Sequence, residues 1–251
     1  MKDIISRFFV MWCLLSIVTV SAGADSGKGK VSKPGPDQAI AMLKEGNRRF
    51  VEGKLEHPHL DAARLTQAGK ESQADHAYAT IVSCSDSRVP VELIFDAGIM
   101  DIFVVRVAGN VCDVDEIGSI EYGLAHVHTP LLVILGHTQC GAVTAVTQSL
   151  CGNEQDLEGN IPPLVDNIKP AVRRAMQKHP DLSGDALIHC AIEENVWQGI
   201  EDLFTASLYV RNMVKEGKAR VAGALYDVGS GKVDWLPEKK VSEILKKVDS
   251  Q

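Results

Sequence analysis

The run Leu131-Leu132-Val133-Ile134-Leu135-Gly136, followed at once by His137-Thr138-Gln139-Cys140-Gly141, decides the fold. An apolar run with no polar alternation reads as a strand covered on both faces, the condition of a parallel sheet. The switch to His, Thr, Gln and Cys marks its carboxyl end, and a helix is expected to begin near Gly141. Working outward, Ala77-Tyr78-Ala79-Thr80-Ile81-Val82-Ser83 and Asp101-Ile102-Phe103-Val104-Val105-Arg106 read as two more strands. Ile117, Ile120, Leu124 and Val127 recur at helical spacing, as do Ala39, Ile40, Met42, Leu43, Phe50 and Val51, with Asp37 available as a cap. A long helix is expected over about residues 185–215. Arg220-Val221-Ala222-Gly223-Ala224-Leu225-Tyr226-Asp227-Val228 reads as a strand and Gly229-Ser230-Gly231 as a turn. Val233-Asp234-Trp235-Leu236 then returns as the hairpin partner. Strands alternating with helices give an α/β class with a mostly parallel central sheet flanked by helices.

Of the 251 residues, 45% are hydrophobic and 24% charged, which excludes disordered and low-complexity classes. A net charge of −7 implies no basic surface for nucleic acid or for an anionic membrane. The N-terminus has its own pattern: Lys2 and Arg7, an apolar run over 8–20, then Ala22-Gly23-Ala24. That run is shorter than the roughly 20 residues needed to span a bilayer, so 1–24 reads as a secretory signal peptide. Residues 25–36, rich in Gly, Lys, Ser and Pro, read as a flexible leader, and 37–251 as a single catalytic α/β domain. The expected location is outside the cytoplasm, periplasmic or secreted, with no stable membrane insertion. Removing Cys13 with the signal leaves Cys84, Cys112, Cys140, Cys151 and Cys190. An odd number cannot pair completely in an oxidising compartment, and metal ligation would hold a thiol out of the pairing pool.

Ligands in open α/β sheets bind beyond the carboxyl ends of strands. Two of the strand runs end in unusual chemistry there: Ser83-Cys84-Ser85-Asp86-Ser87-Arg88 and Gly136-His137-Thr138-Gln139-Cys140-Gly141. Cys84, His137 and Cys140 offer two sulfurs and one imidazole, a donor set suited to zinc with a fourth position left open, as catalytic sites require. Asp86 can accept a hydrogen bond from a nucleophile at that position, or bind the metal itself as a fourth ligand in a closed state. Arg88, two residues on, can hold the carboxylate with a bidentate fork. The Gly141 N–H, at a helix start, can help bind a developing anion.

With these residues in place the chain resembles the β-class carbonic anhydrases. Cys84-Ser85-Asp86-Ser87-Arg88 and Gly136-His137-Thr138-Gln139-Cys140-Gly141 are similar to that family's two signatures, and the likeness runs from about residue 37 to residue 236. It takes in Val105-Arg106-Val107-Ala108-Gly109-Asn110, which departs from the commonest family wording at Val107, where Asn more often follows the Arg. The resemblance implies one Zn2+ per chain on Cys84, His137 and Cys140, and an Asp86–Arg88 catalytic dyad. It implies reversible hydration of carbon dioxide to bicarbonate and a proton by hydroxide held on the metal. It further implies a parallel sheet with an added antiparallel strand, built into homodimers or homotetramers. Two thiolates neutralise the formal charge of the ion, so its water should be a weaker acid than in a three-histidine site, with activity rising on the alkaline side.

Other readings of the same residues are a Cys84–Cys140 disulfide beside a surface ion pair, activity on carbonyl sulfide or carbon disulfide, and a non-catalytic bicarbonate or zinc binder. Arg106 is expected to support the site loop. Cys112, Cys151 and Cys190 are either small buried residues or include a pair. His57-Pro58-His59 and His126-Val127-His128 read as surface histidines, and Trp197, Leu203, Phe204 and Tyr209 as core or subunit interface.

Overall fold

The computed structural model describes residues 33–153 and 157–251; the segment 1–24, read above as a signal peptide, and residues 25–32 of the expected leader lie outside the described residues. In chain order the elements are α1 (Pro36–Val51), α2 (Ala62–Ala68), β1 (Ala79–Ser83), α3 (Val91–Ile94), β2 (Ile102–Arg106), α4 (Val114–Ala125), β3 (Leu131–His137) and α5 (Gly141–Leu150). They continue with α6 (Ile161–Asp166), α7 (Lys169–Lys178), α8 (Gly184–Ala206), α9 (Leu208–Lys215), β4 (Arg220–Tyr226), β5 (Val233–Trp235) and α10 (Glu238–Asp249). No helix among the described residues is long and apolar enough to cross a membrane.

The strands form one sheet in the order β2-β1-β3-β4-β5. β1 pairs in parallel with β2 and β3, β3 pairs in parallel with β4, and β5 returns antiparallel to β4. Every residue of β1 and β3 is buried, as strands covered on both faces and dominated by apolar residues require. Alternate residues serve opposite faces. Leu131, Val133 and Leu135 point into a core shared with Leu43 of α1 and Ile94 of α3. Leu132 and Ile134 point the other way, onto Leu124 of α4, Val196, Trp197 and Ile200 of α8, and Ile244 of α10. A third cluster, with α5, α7 and α8, closes around Cys84 and Cys140 at the carboxyl end of the sheet.

The sheet order reverses direction at β1, whose neighbours β2 and β3 follow it in the chain on opposite sides. Such a switch point leaves a crevice beyond the strand ends. The register fills it: Ser83 sits opposite both Leu135 and Arg106, so the chain leaves β1 as Cys84 just where β3 runs on to His137. The positions of the two sequence signatures follow from this pairing.

Three expectations need correction. α1 begins at Pro36, with Gly35 as its cap, and Asp37 lies in its first turn, paired with Arg220 at 2.6 Å. Proline is tolerated there because the first amides of a helix have no partner within it. The helix expected over 185–215 is two helices. Ser207 leaves helical geometry and its hydroxyl accepts from the Val210 amide, capping α9. Tyr209, on α9, is exposed, whereas Trp197, Leu203 and Phe204 are core. α6 and α7 go beyond the sequence reading; Pro162 and Pro170 sit in their first turns.

Asp202 on α8 carries a measurable consequence. Burial pushes its carboxyl up to about 6, against the opposing pull of the Gln198 amide, which donates to it at 2.6 Å. The folded state therefore holds this proton more tightly than the unfolded chain does. The resulting stabilisation is complete below about pH 4 and is lost as pH rises through about 6. Asp202→Asn should raise the melting temperature by about 2–4 °C near pH 7.5 and leave it nearly unchanged near pH 4. Equal shifts at both pH values in calorimetry would refute this.

Candidate metal centre

Cys84 leaves the end of β1, His137 ends β3, and Cys140 caps α5. All three residues are buried, and their donor atoms lie within 4.8 Å of one another; no other such group of three occurs among the described residues. All five described cysteines are free thiols, so Cys84 and Cys140 are not bridged.

Charge makes this grouping costly for the protein alone. The two sulfurs share one proton. Cys84 is the thiolate, its pKa brought down to about 4 first by the hydrogen bond from Cys140, with the amides of Gly109 and Asp86 adding to it. Cys140 is pushed up because its proton is held on the Cys84 sulfur and because burial disfavours a second charge. The amides of Ala142 and Val143, in the first turn of α5, oppose that rise. Two adjacent thiolates need a cation between them.

His137 supplies the test of fit. Its Nδ1 lies 2.9 Å from the Thr138 carbonyl, which can only accept, so Nδ1 carries the proton. Nε2 is then a bare lone pair, buried and without a hydrogen-bond partner. An orphaned buried acceptor beside two sulfurs is what a tetrahedral divalent ion would satisfy, and the Nδ1–H···O=C bond is the usual support of a ligating imidazole. Thr138 is itself pinned: its amide donates to Tyr226 (2.9 Å), while its hydroxyl bonds Asp227 (3.2 Å) and accepts from the Val228 amide (3.0 Å).

Asp86 is held away from the donors. Arg88 grips it with Nη2 on Oδ2 at 2.7 Å and Nε on Oδ1 at 3.0 Å, and the Arg88 amide adds a third bond at 2.9 Å. These bonds, the Arg88 side chain first, hold the Asp86 carboxyl well below the usual carboxylate range. The same guanidinium donates to the Gln139 side-chain oxygen (3.1 Å) and carbonyl (3.0 Å), joining the two signature loops. Gln139 adopts φ +58°, presenting that carbonyl from a left-handed turn. Arg106, at the end of β2, donates to the carbonyls of Cys84 (3.0 Å) and Asp86 (2.7 Å) and so braces the site loop. Val107, the family-atypical residue, keeps the loop paired to β1 through the Ser83 carbonyl and the Ser85 amide. Gly141 is exposed at the start of α5, with nothing within 4 Å of where a Cβ would stand.

The sequence reading brings Cys84, Asp86, Arg88, His137, Cys140 and Gly141 to one place; the structure gathers the donors of Cys84, His137 and Cys140, ties Asp86 through Arg88 to Gln139, and sets Gly141 at the start of α5 next to Cys140. It misses the Gly109 amide, which donates to the Cys84 sulfur at 3.3 Å, and the Gln139 and Thr138 carbonyls. Backbone groups carry no residue-type signal. The glycine in Val107-Ala108-Gly109-Asn110 is the only hint of a special conformation. The paired histidines stay outside the site: His59 binds Asp101 at 2.7 Å, and His126 stacks on Tyr122 at 5.0 Å.

Comparison with known proteins agrees with this geometry. The family model described as carbonic anhydrase matches residues 79–233. Carbonic anhydrase 2 of Mycobacterium tuberculosis is 34% identical over 200 residues, which cover 78% of this chain and 91% of that protein. The crystal structure of the β-carbonic anhydrase CafA of Aspergillus fumigatus aligns at a TM-score of 0.62 and 29% identity, covering 84% of this chain and 97% of that one. One of two tetrameric β-carbonic anhydrases from Sordaria macrospora shares the fold at 21% identity, with a TM-score of 0.60, over 80% of this chain and 97% of its own. The chain belongs to the β-class carbonic anhydrase family and is an enzyme of that kind.

Arg106 offers the sharpest test of the loop's bracing. Arg106→Met keeps an apolar stem and removes both carbonyl contacts. It should weaken zinc affinity about 10-fold in chelator competition, and unchanged affinity would show the brace to be idle.

Proposed function

We propose that this enzyme hydrates carbon dioxide reversibly to bicarbonate and a proton, with one zinc ion per chain held by Cys84, His137 and Cys140. The observation that carries the reading is the bare His137 Nε2, buried beside two sulfurs that share one proton. When bound, the ion supplies a Lewis acid that lowers the pKa of a water at its open position towards neutrality.

The remaining roles belong to this chain's own groups. Asp86 stays ionised because Arg88 bonds both its oxygens, and with one acceptor site still free on Oδ2 it can only accept a further hydrogen bond. Accepting the nucleophile's one O–H aims a lone pair at the substrate carbon. The same rule selects bicarbonate poses, because an oxygen bearing a proton satisfies Asp86 and a bare oxygen is repelled. The Gly141 amide, at the free end of the α5 dipole, donates to the developing anion. Gln139 and Arg106 hold the two loops in register while this happens.

Asp86→Ala should lower kcat by about 100-fold in a stopped-flow carbon dioxide assay, with zinc staying near one per chain. Stripping the metal with a chelator should abolish activity, and zinc should restore it. An Asp86→Ala enzyme with full turnover, or a wild type that retains activity without metal, would defeat the mechanism.

We also propose that the enzyme works outside the cytoplasm, on the export pattern of residues 1–24, as a homodimer or homotetramer. Val114 (75% exposed), Leu65 (60%) and Tyr122 (50%) give the surface apolar area to associate, and the Sordaria relatives are described as tetrameric. Mass spectrometry of the exported protein, native and denatured, should find an N-terminus after Ala24 and a mass of two or four chains. A retained Met1 or a single-chain mass would overturn the corresponding half.

A further inference from the structure

Gly109 carries a backbone amide that donates to the Cys84 sulfur at 3.3 Å, and it does so from φ +76°, in the left-handed region. A side chain cannot replace it cheaply, because φ +76° strains any L side chain, and a Cβ there would also press Cδ1 of Ile168 at 2.7 Å. Glycine is also the residue whose dihedrals are softest. An amide that must point at a sulfur has therefore been placed on the backbone unit least able to hold its own direction. Something outside the loop has to fix it.

Asn195 of α8 is positioned to do this. It is 2% exposed, and its Nδ2 donates to the Gly109 carbonyl at 2.7 Å. That carbonyl and the sulfur-facing N–H are separated by the φ and ψ of Gly109 alone, so anchoring one limits the swing of the other. The anchor is stiff. Val196, the next residue, packs where a Cβ on Gly136 would stand, immediately before His137. Ile192, Val196 and Ile200 bury the same helix against the core. Four residues on, Gly199 brings α8 within 3.6 Å of the Asn110 carbonyl, measured from the Cβ it lacks.

We propose that Asn195 is a positioning residue of the metal centre. It holds the Gly109 carbonyl, two torsions from the N–H on the Cys84 thiolate, and so limits the swing of that N–H and the electron density that this sulfur gives to the ion. The inference rests on the metal reading above. Because Asn195 touches neither metal nor substrate, it acts only through Gly109.

The test compares wild type, Asn195→Leu, Asn195→Gln and a control, Ile200→Val, which trims the same helix on its sheet face. Zinc affinity is read by chelator competition, and the cobalt(II)-substituted proteins are read by their thiolate-to-cobalt absorption. Losing the hydrogen bond leaves the sulfur more electron-rich, so Asn195→Leu should move that band to longer wavelength; because the freed sulfur also takes up a proton more readily and its loop is less firmly held, zinc binding should weaken about 10-fold. Asn195→Gln, which keeps an amide donor, should recover part of both. Ile200→Val should lower the melting temperature without moving either. Should Asn195→Leu not fold, Asn195→Ser, whose hydroxyl is too short to reach the carbonyl, carries the same expectation. A variant with a lowered melting temperature but wild-type band and affinity would make Asn195 merely structural and overturn the proposal. A wild type with no thiolate-to-cobalt band would instead defeat the metal reading itself.

Discussion

Two sulfurs and an imidazole nitrogen buried within 4.8 Å of one another set the terms for the rest of this molecule. Sulfurs so placed repel as thiolates, and the protein alone resolves the conflict by leaving one proton between them. Holding the arrangement against that repulsion needs stiff supports on every side. The parallel pairing of β1 with β3 fixes the strand ends, the first turn of α5 offers amides to Cys140, and the Thr138 carbonyl fixes the ring of His137. The most completely buried strands of the sheet lie directly beneath.

The charged residues around this centre have separate duties. Arg88 faces Asp86 and Gln139, so one guanidinium both ionises the carboxylate and ties the two loops together. A lysine, with a single point of charge, has no geometry for both tasks. Arg106 spends its donors on carbonyls, and its contribution is shape. Two arginines in the same few ångströms thus act in different ways, one through a counter-charge and one through backbone geometry.

Much of this was legible from residue types. The run at 131–136 is apolar throughout and that at 79–83 carries only the small hydroxyls of Thr80 and Ser83, because both faces of the sheet are covered, and Gly229-Ser230-Gly231 marks the hairpin because glycine supplies the turn. The site residues were legible because sulfur, imidazole and an Asp-x-Arg pair are rare and chemically pointed. The break at Ser207 was not, since helical spacing continues across it and only the hydroxyl's bond to the Val210 amide interrupts it. Pro36 and Pro170 hid helix starts because proline reads as a breaker until its position in the first turn is known. The deepest gap is in the supports. The Gly109 amide and the Thr138 carbonyl act through main-chain atoms, and Asn195 meets Gly109 across a separation of 86 residues.

The separation of the donors along the chain has its own consequence. His137 and Cys140 are local neighbours, but Cys84 joins them only after a crossover through β2 and α4 has closed and β1 lies beside β3. The unfolded polypeptide therefore presents only a two-pronged stub, and full chelation is deferred until topology is complete. Under the proposed metal reading, tight retention of the ion thus marks a chain in which β1 and β3 have already paired.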